Sequence, residues 1–159
     1  MKVKENNNFP ETIFFILKDS GPKEFKSSEL FAGKKVLLVT VPGAFTPTCS
    51  EEHVPGYVKH ENDFVRKGVE KIFVLSANDP FVMNAWAKTY GDNNITFLAD
   101  AEGDSISKLG YNLDLSVIGL GKRFSRFAMI IDDGIVKKIF DEDGGGLDAS
   151  KAENVLNSI

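Results

Sequence analysis

The stretch from Lys34 to Val41, KKVLLVTV, is a run of leucine and β-branched residues with no polar alternation. A strand with one wet face alternates apolar with polar residues, so a strand written this way is covered on both faces, as in a parallel sheet. EKIFVLSA, beginning at Glu70, repeats the pattern, and ITFLAD, beginning at Ile95, supplies a third such strand. Parallel neighbours need crossover connections, and the intervening segments read as helices. In the first crossover Val54, Tyr57, Val58, Phe64 and Val65 recur on one face until Gly68. In the second, Asp79 is a capping carboxylate ahead of Pro80 at the first helical position, opening a helix through FVMNAWAKTY that closes at Gly91.

The flanking segments complete the order. TIFFIL and EFKSSEL flank KDSGPK, whose Gly21-Pro22 reads as the turn of an opening hairpin. DSISKLG is a short helix, and RFAMIIDDGIVKKIF is a hairpin turned at Asp133-Gly134. LDASKAENVLNSI closes the chain as a helix with Asp148 or Ser150 as its cap. Right-handed crossovers then give a mixed β-sheet flanked by helices on both faces. The expected architecture is α/β, a thioredoxin-like sandwich with an N-terminal β-hairpin extension. A chain of 159 residues, 42% hydrophobic, with no Pro/Gly-rich linker and no internal repeat, is sized for one domain spanning 1–159.

Composition narrows the function. A net charge of −4 with scattered basic residues leaves no footprint for nucleic acid or an anionic membrane. No apolar run approaches the roughly 18 residues needed to cross a bilayer. Small solutes or protein partners are expected instead. The single cysteine forms no internal disulfide, and MKVKENNNFPETIFF lacks both a signal-peptide core and a transit pattern, so a reducing, cytoplasmic setting is expected. A removed targeting segment would leave no trace. One Cys and two His do not compose a zinc set, so no metal and no cofactor are expected.

That cysteine, Cys49, lies in VPGAFTPTCSEEHVPGY, beyond the carboxyl end of the first buried strand, where open α/β sheets place their sites. Thr48, Cys49, Ser50 and Glu51 match a capping box, which would make Cys49 the first residue inside a helix. Unpaired amides and the positive end of the helix dipole favour thiolate over thiol there. Pro42, Gly43 and Pro47 stiffen the approach, and Pro55 is expected to kink the helix. An inert, buried cysteine gains nothing from these flanks. His53 lies one helical turn on and is either a base for the thiol, as in a Cys-His hydrolase, or a side chain that faces a neighbouring loop or packs in an interface. No C-x-x-C pair exists for dithiol exchange.

Pro42, Thr46 and Cys49 match the P-x-x-x-T-x-x-C signature of the peroxiredoxins, and the whole segment resembles their type II, peroxiredoxin-5-like branch. LSANDPFVMNAWAK, FLADAEG, GLGKRFSRFAMIIDDG and GLDASKAENVL resemble the same branch in the same order. The resemblance implies reduction of hydrogen peroxide and organic hydroperoxides, with Cys49 as the peroxidatic cysteine passing through a sulfenic acid. It also implies that Thr46 hydrogen-bonds thiolate and peroxide, that Arg126 supplies a cation near both, and that Pro42 and Gly43 line the substrate pocket. Animal members carry a resolving cysteine near GLDASKA, where this chain has Ala149, and plant-like members often carry one where Val74 stands. The resemblance therefore implies a one-cysteine variant that draws on an external thiol, glutathione with glutaredoxin or else thioredoxin. A homodimer is implied as well. A redox-sensing interaction protein needs the same reactive thiol and stands beside the enzyme as an alternative.

Overall fold

A computed structural model describes residues 2–143 and 146–159, with Cys49 described by its backbone alone. In chain order the elements begin with β1 (Ile13–Lys18), β2 (Gly21–Lys26), α1 (Ser27–Phe31) and β3 (Lys35–Thr40). A widened π turn (Cys49–His53) leads into α2 (Val54–Lys59) and α3 (Glu61–Arg66). Then come β4 (Lys71–Ser76), α4 (Pro80–Lys88), β5 (Ile95–Ala99) and α5 (Asp104–Leu109). The chain closes with β6 (Asn112–Leu115), a 3-10 turn (Ser116–Ile118), β7 (Gly121–Phe124), β8 (Phe127–Asp132), β9 (Ile135–Asp141) and α6 (Ala152–Asn157).

The main sheet runs β2-β1-β5-β4-β3-β8-β9. β3, β4 and β5 are parallel neighbours, while β8 joins β3 and β9 joins β8 antiparallel. The two-sided burial read from the sequence has a direct cause. Leu37 and Val39 of β3, with Ile72 and Val74 of β4, face one core closed by Tyr57, Phe64, Trp86 and Val155. Val36 and Leu38, with Phe73 and Leu75, face a second core closed by Phe31, Leu109 and Phe124. Each fully buried large side chain among them contributes about 1.5–3 kcal/mol. This is the mixed α/β, thioredoxin-like arrangement expected from the sequence.

Local expectations hold where the chemistry is local. The Asp79 carboxylate accepts from Val82 N at 2.9 Å and caps α4. Asp133 and Gly134 turn the β8–β9 hairpin with φ of 47° and 81°.

Four details differ. The first hairpin turns at residues 19–20, and Gly21-Pro22 lie inside β2, opposite Lys18 and Leu17. β2 ends at Lys26 because Glu11 reaches across to Ser28 N at 3.2 Å and starts α1 there. α6 begins only at Ala152, with no side-chain cap, since the amides of Asp148 and Ser150 donate to Glu142 instead. Finally, the first crossover breaks at His60, which has φ −100° and ψ 12°, and the break turns Val65 outward to 60% exposure.

Candidate active site

The site forms where β3 leaves the sheet. Thr40 Oγ1 donates to Ser125 O at 2.9 Å and accepts from Phe127 N at 3.3 Å, which fixes the entry to β8 beside the end of β3. Arg126 lies between those two contacts, so its place is set by backbone pairing. The loop that follows β3 carries Pro42 and Gly43, both buried, and Phe45, whose φ of 63° is left-handed for a bulky residue. A Cβ on Gly43 would meet Arg123 Nη1 and Thr46 Cγ2 at 3.1 Å each, so this position admits little beyond glycine.

Residues 47 and 48 are already helical, and Thr46 therefore occupies the position just before the helix that was expected of Thr48. Pro47 explains the shift, because its missing N–H and fixed φ suit the first helical position. Ser50 N donates to Thr46 O at 2.9 Å. The Thr46 hydroxyl donates to Gly43 O at 2.7 Å, which leaves its lone pairs free to accept a hydrogen bond. The Cys49 backbone opens the π turn, and the role expected of its thiol lies outside the described residues.

Arg126 is 3% exposed and His53 1%. Arg126 Nη1 lies 2.9 Å from His53 Nδ1. A guanidinium only donates, so Nδ1 is the acceptor and the imidazole proton sits on Nε2. Nε2 in turn lies 3.1 Å from Ser150 O and 3.3 Å from Ser150 Oγ. The Ser150 hydroxyl donates to Glu142 Oε2 at 2.7 Å. Tyr57 also donates its hydroxyl to Ser150 O, and burial, reinforced by Glu142, holds that hydroxyl protonated. Burial, and then the Arg126 cation, push His53 down to about 3. His53 is thus a neutral ring facing a neighbouring loop, and with its lone pair held by Arg126 it has none left to serve a thiol as base. Arg126 Nε has no hydrogen-bond partner among the described residues.

Several residues that hold the site were not evident in the sequence. Asn78 Oδ1 accepts from Ala44 N at 3.0 Å and from Ser76 Oγ at 2.6 Å, tying the loop after β3 to the end of β4. Arg123 donates to Pro42 O at 3.1 Å and to Leu120 O at 2.8 Å, closing the loop from the other side. Trp86 Nε1 and Tyr90 Oη donate to Ser50 Oγ and Ser50 O, each at 3.0 Å, and anchor the residue after Cys49 to α4 and the turn beyond it. The only local signals for these were an Asn before the Asp-Pro cap and an Arg three residues ahead of Arg126. A cleft of about 580 Å³ lined by Ile13, Phe15, Pro80 and Asp100 holds none of the site residues. No group of three or more His, Cys, Asp or Glu among the described residues is arranged to hold a metal ion.

The chain matches the Redoxin family model over residues 4–156. It is 44% identical over 149 residues to peroxiredoxin-2B of Arabidopsis thaliana, covering 93% of this chain and 92% of that protein. Against peroxiredoxin-2C of Oryza sativa subsp. japonica the identity is 50% over 131 residues, covering 82% and 81%. Among solved structures, reduced Prx3 of Vibrio vulnificus in complex with hydrogen peroxide superposes with a TM-score of 0.94 at 39% identity, over 98% of both chains.

Proposed function

The chain belongs to the peroxiredoxins of the Redoxin family and is a thiol peroxidase, and from that premise we propose that Cys49 is the attacking thiol, served by Arg126 and Thr46. The observation that carries the assignment is the buried Arg126. Among the described residues no carboxylate pairs with it and none supplies an acceptor for its Nε. A desolvated cation with an unused donor is costly unless an anion or a polar substrate completes it. A thiolate and a peroxide oxygen are the two groups this chemistry brings to such a place.

In this reading the Cys49 thiolate gives an electron pair to the nearer peroxide oxygen and the O–O bond breaks. Sulfur is oxidised to sulfenic acid, and the departing oxygen takes a proton to leave as water or an alcohol. Negative charge moves to that oxygen in the transition state, and fixed donors aimed there lower the barrier. Arg126 supplies the donors. Thr46, whose proton is given to Gly43 O, accepts the O–H of the hydroperoxide and aligns it. Pro42 and Gly43 hold the pocket wall in place. Hydrogen peroxide and small organic hydroperoxides fit a site of this kind, and the span 1–159 acts as one unit.

No second thiol exists in the chain to resolve the sulfenic acid. Resolution therefore falls to an external thiol, glutathione with glutaredoxin or else thioredoxin, in a reducing compartment such as the cytoplasm. Among the described residues no helix is long and apolar enough to cross a membrane. Phe45, Phe81, Val117 and Ile118 are between 54% and 99% exposed, on the site loop, at the start of α4 and in the 3-10 turn ahead of β7. These exposed apolar side chains support a homodimer joined at the active-site end.

Peroxide consumption followed with glutathione and glutaredoxin, or with thioredoxin and its reductase, tests the reading. Sustained turnover that disappears in Cys49→Ser is expected. Consumption that halts at one equivalent per chain under every reductant would instead leave a redox sensor. Sedimentation at micromolar concentration is expected to give the mass of two chains, and a monomer would refute the proposed association.

A further inference from the structure

Four side chains from separated parts of the chain form a directed line of hydrogen bonds. Arg126 Nη1 donates to His53 Nδ1 (2.9 Å), and His53 Nε2 to Ser150 O and Oγ (3.1 and 3.3 Å). Ser150 Oγ donates in turn to Glu142 Oε2 (2.7 Å). Every proton points from the cation toward the anion, so each bond polarises the next. We propose that His53 is a positioning residue that orients Arg126 toward the reacting sulfur while leaving its charge unneutralised. The proposal rests on the assignment of Arg126 to the thiolate.

A buried arginine ordinarily meets a carboxylate, often with two parallel bonds, and its field is then spent on that partner. Here the partner is an imidazole whose lone pair fixes direction without contributing charge. The carboxylate stands two links farther on, at Glu142, where amides of Asp148 and Ser150 and the Ser150 hydroxyl surround it. Burial alone would raise the Glu142 carboxyl, but the hydrogen bonds from Ser150, Ala149 and Asp148 together outweigh it and hold the group below its usual range. Among the described residues the charged and titratable groups that face His53 are Arg126, Glu142 and Tyr57, from the loop before β8, the segment after β9 and α2. None of these delivers an anion directly to Arg126.

The geometry also explains why Ser150 is fully buried at the start of the last segment, although it caps no helix. Its carbonyl and hydroxyl receive the imidazole proton, and Tyr57 and Glu142 hold it in place. Glu142 and Ser150, between β9 and α6, thus serve as the far support of the cation.

The test compares His53→Gln, His53→Leu and His53→Glu with Arg126→Ala, reading the thiol pKa from the pH dependence of alkylation and the KM and kcat for hydrogen peroxide. Gln reproduces an acceptor toward Arg126 and a donor toward Ser150, so His53→Gln is expected to stay within about threefold of the parent protein. Leu removes the acceptor, and Glu supplies a neutralising charge. Both are expected to raise the thiol pKa by about one unit or more, following the usual effect of losing a nearby opposite charge. Peroxide KM rises with it. His53→Glu keeps Arg126 paired and gives an answer even if His53→Leu does not fold. A raised pKa in Arg126→Ala with none in His53→Leu or His53→Glu overturns the positioning role and leaves the peroxidase assignment standing. An unchanged pKa in Arg126→Ala overturns both.

Discussion

His53 makes the stability of this protein sensitive to mild acid by an amount that follows from its burial. The unfolded imidazole titrates at its ordinary 6.5, and the folded one at about 3, because burial and Arg126 both disfavour the cation. Between those values the unfolded chain binds a proton that the folded chain does not, so stability falls as pH drops below the unfolded value. From about pH 7 to about pH 5 the loss is about 2 kcal/mol, set by the unfolded pKa alone because the folded ring stays neutral throughout. The carboxyls held below their ordinary range, among them Glu11, Asp104, Glu142 and Glu153, have unfolded values of 3.8 or 4.5 and lose most of their contribution below this window. Urea unfolding followed by the fluorescence of the single, buried Trp86 gives the stability at each pH. In a Cys49→Ser background, which keeps thiol titration out of the result, His53→Gln is expected to lose about 2 kcal/mol less over that interval than its His53 parent. Parallel pH profiles would refute the reasoning, because they would mean that the imidazole protonates in the folded protein as readily as in the unfolded one.

Trp86→Phe removes the donor to Ser50 Oγ and is expected to cost about 0.5–1.5 kcal/mol, with faster amide exchange confined to the turn around Ser50. Unchanged exchange there would show that this bond does not hold the turn. With excess peroxide and no reductant, mass spectrometry of the Cys49 peptide is expected to show one and then two added oxygens. Glutathione should replace these with an adduct that glutaredoxin removes, and a persistent Cys49–Cys49 disulfide between chains would refute the one-cysteine cycle.

The centre of the sheet was legible because the same signal recurs in β3, β4 and β5. In β3 and β4 alternate residues feed two cores, so neither face needs a polar residue, and a continuous apolar run is the only pattern consistent with that burial. The Asp79 cap and the Asp133-Gly134 turn were legible because each is decided within three residues. The start of the helix at the site was not, because two local rules competed. Thr48 and Glu51 fit a capping box, while Pro47 favours a start two residues earlier, and the proline, which needs no partner for its nitrogen, prevailed. Arg126 and Thr46 stand out in the sequence only through the resemblance to the peroxiredoxins, and nothing in local spacing pairs Arg126 with His53. Asn78, Arg123, Glu142 and Ser150 escaped for the same reason, since their partners lie at long range and only the folded sheet brings them together.

Pro55 connects the helix geometry to that network. It has no N–H to give to the carbonyl of Glu51, and its ring crowds that carbonyl, so a regular α-helical turn cannot pass through it unchanged. The sequence predicts a kink here, and the chain opens into the π turn Cys49–His53 one residue ahead of the proline and then resumes as α2. Such single widened turns occur frequently at functional sites. Here the turn begins at the Cys49 backbone and ends at His53, the residue that meets Arg126 in the interior. The proline thus accounts for the local geometry that lets one short segment carry Cys49 at its start and an inward-facing, neutral acceptor for the buried cation at its end.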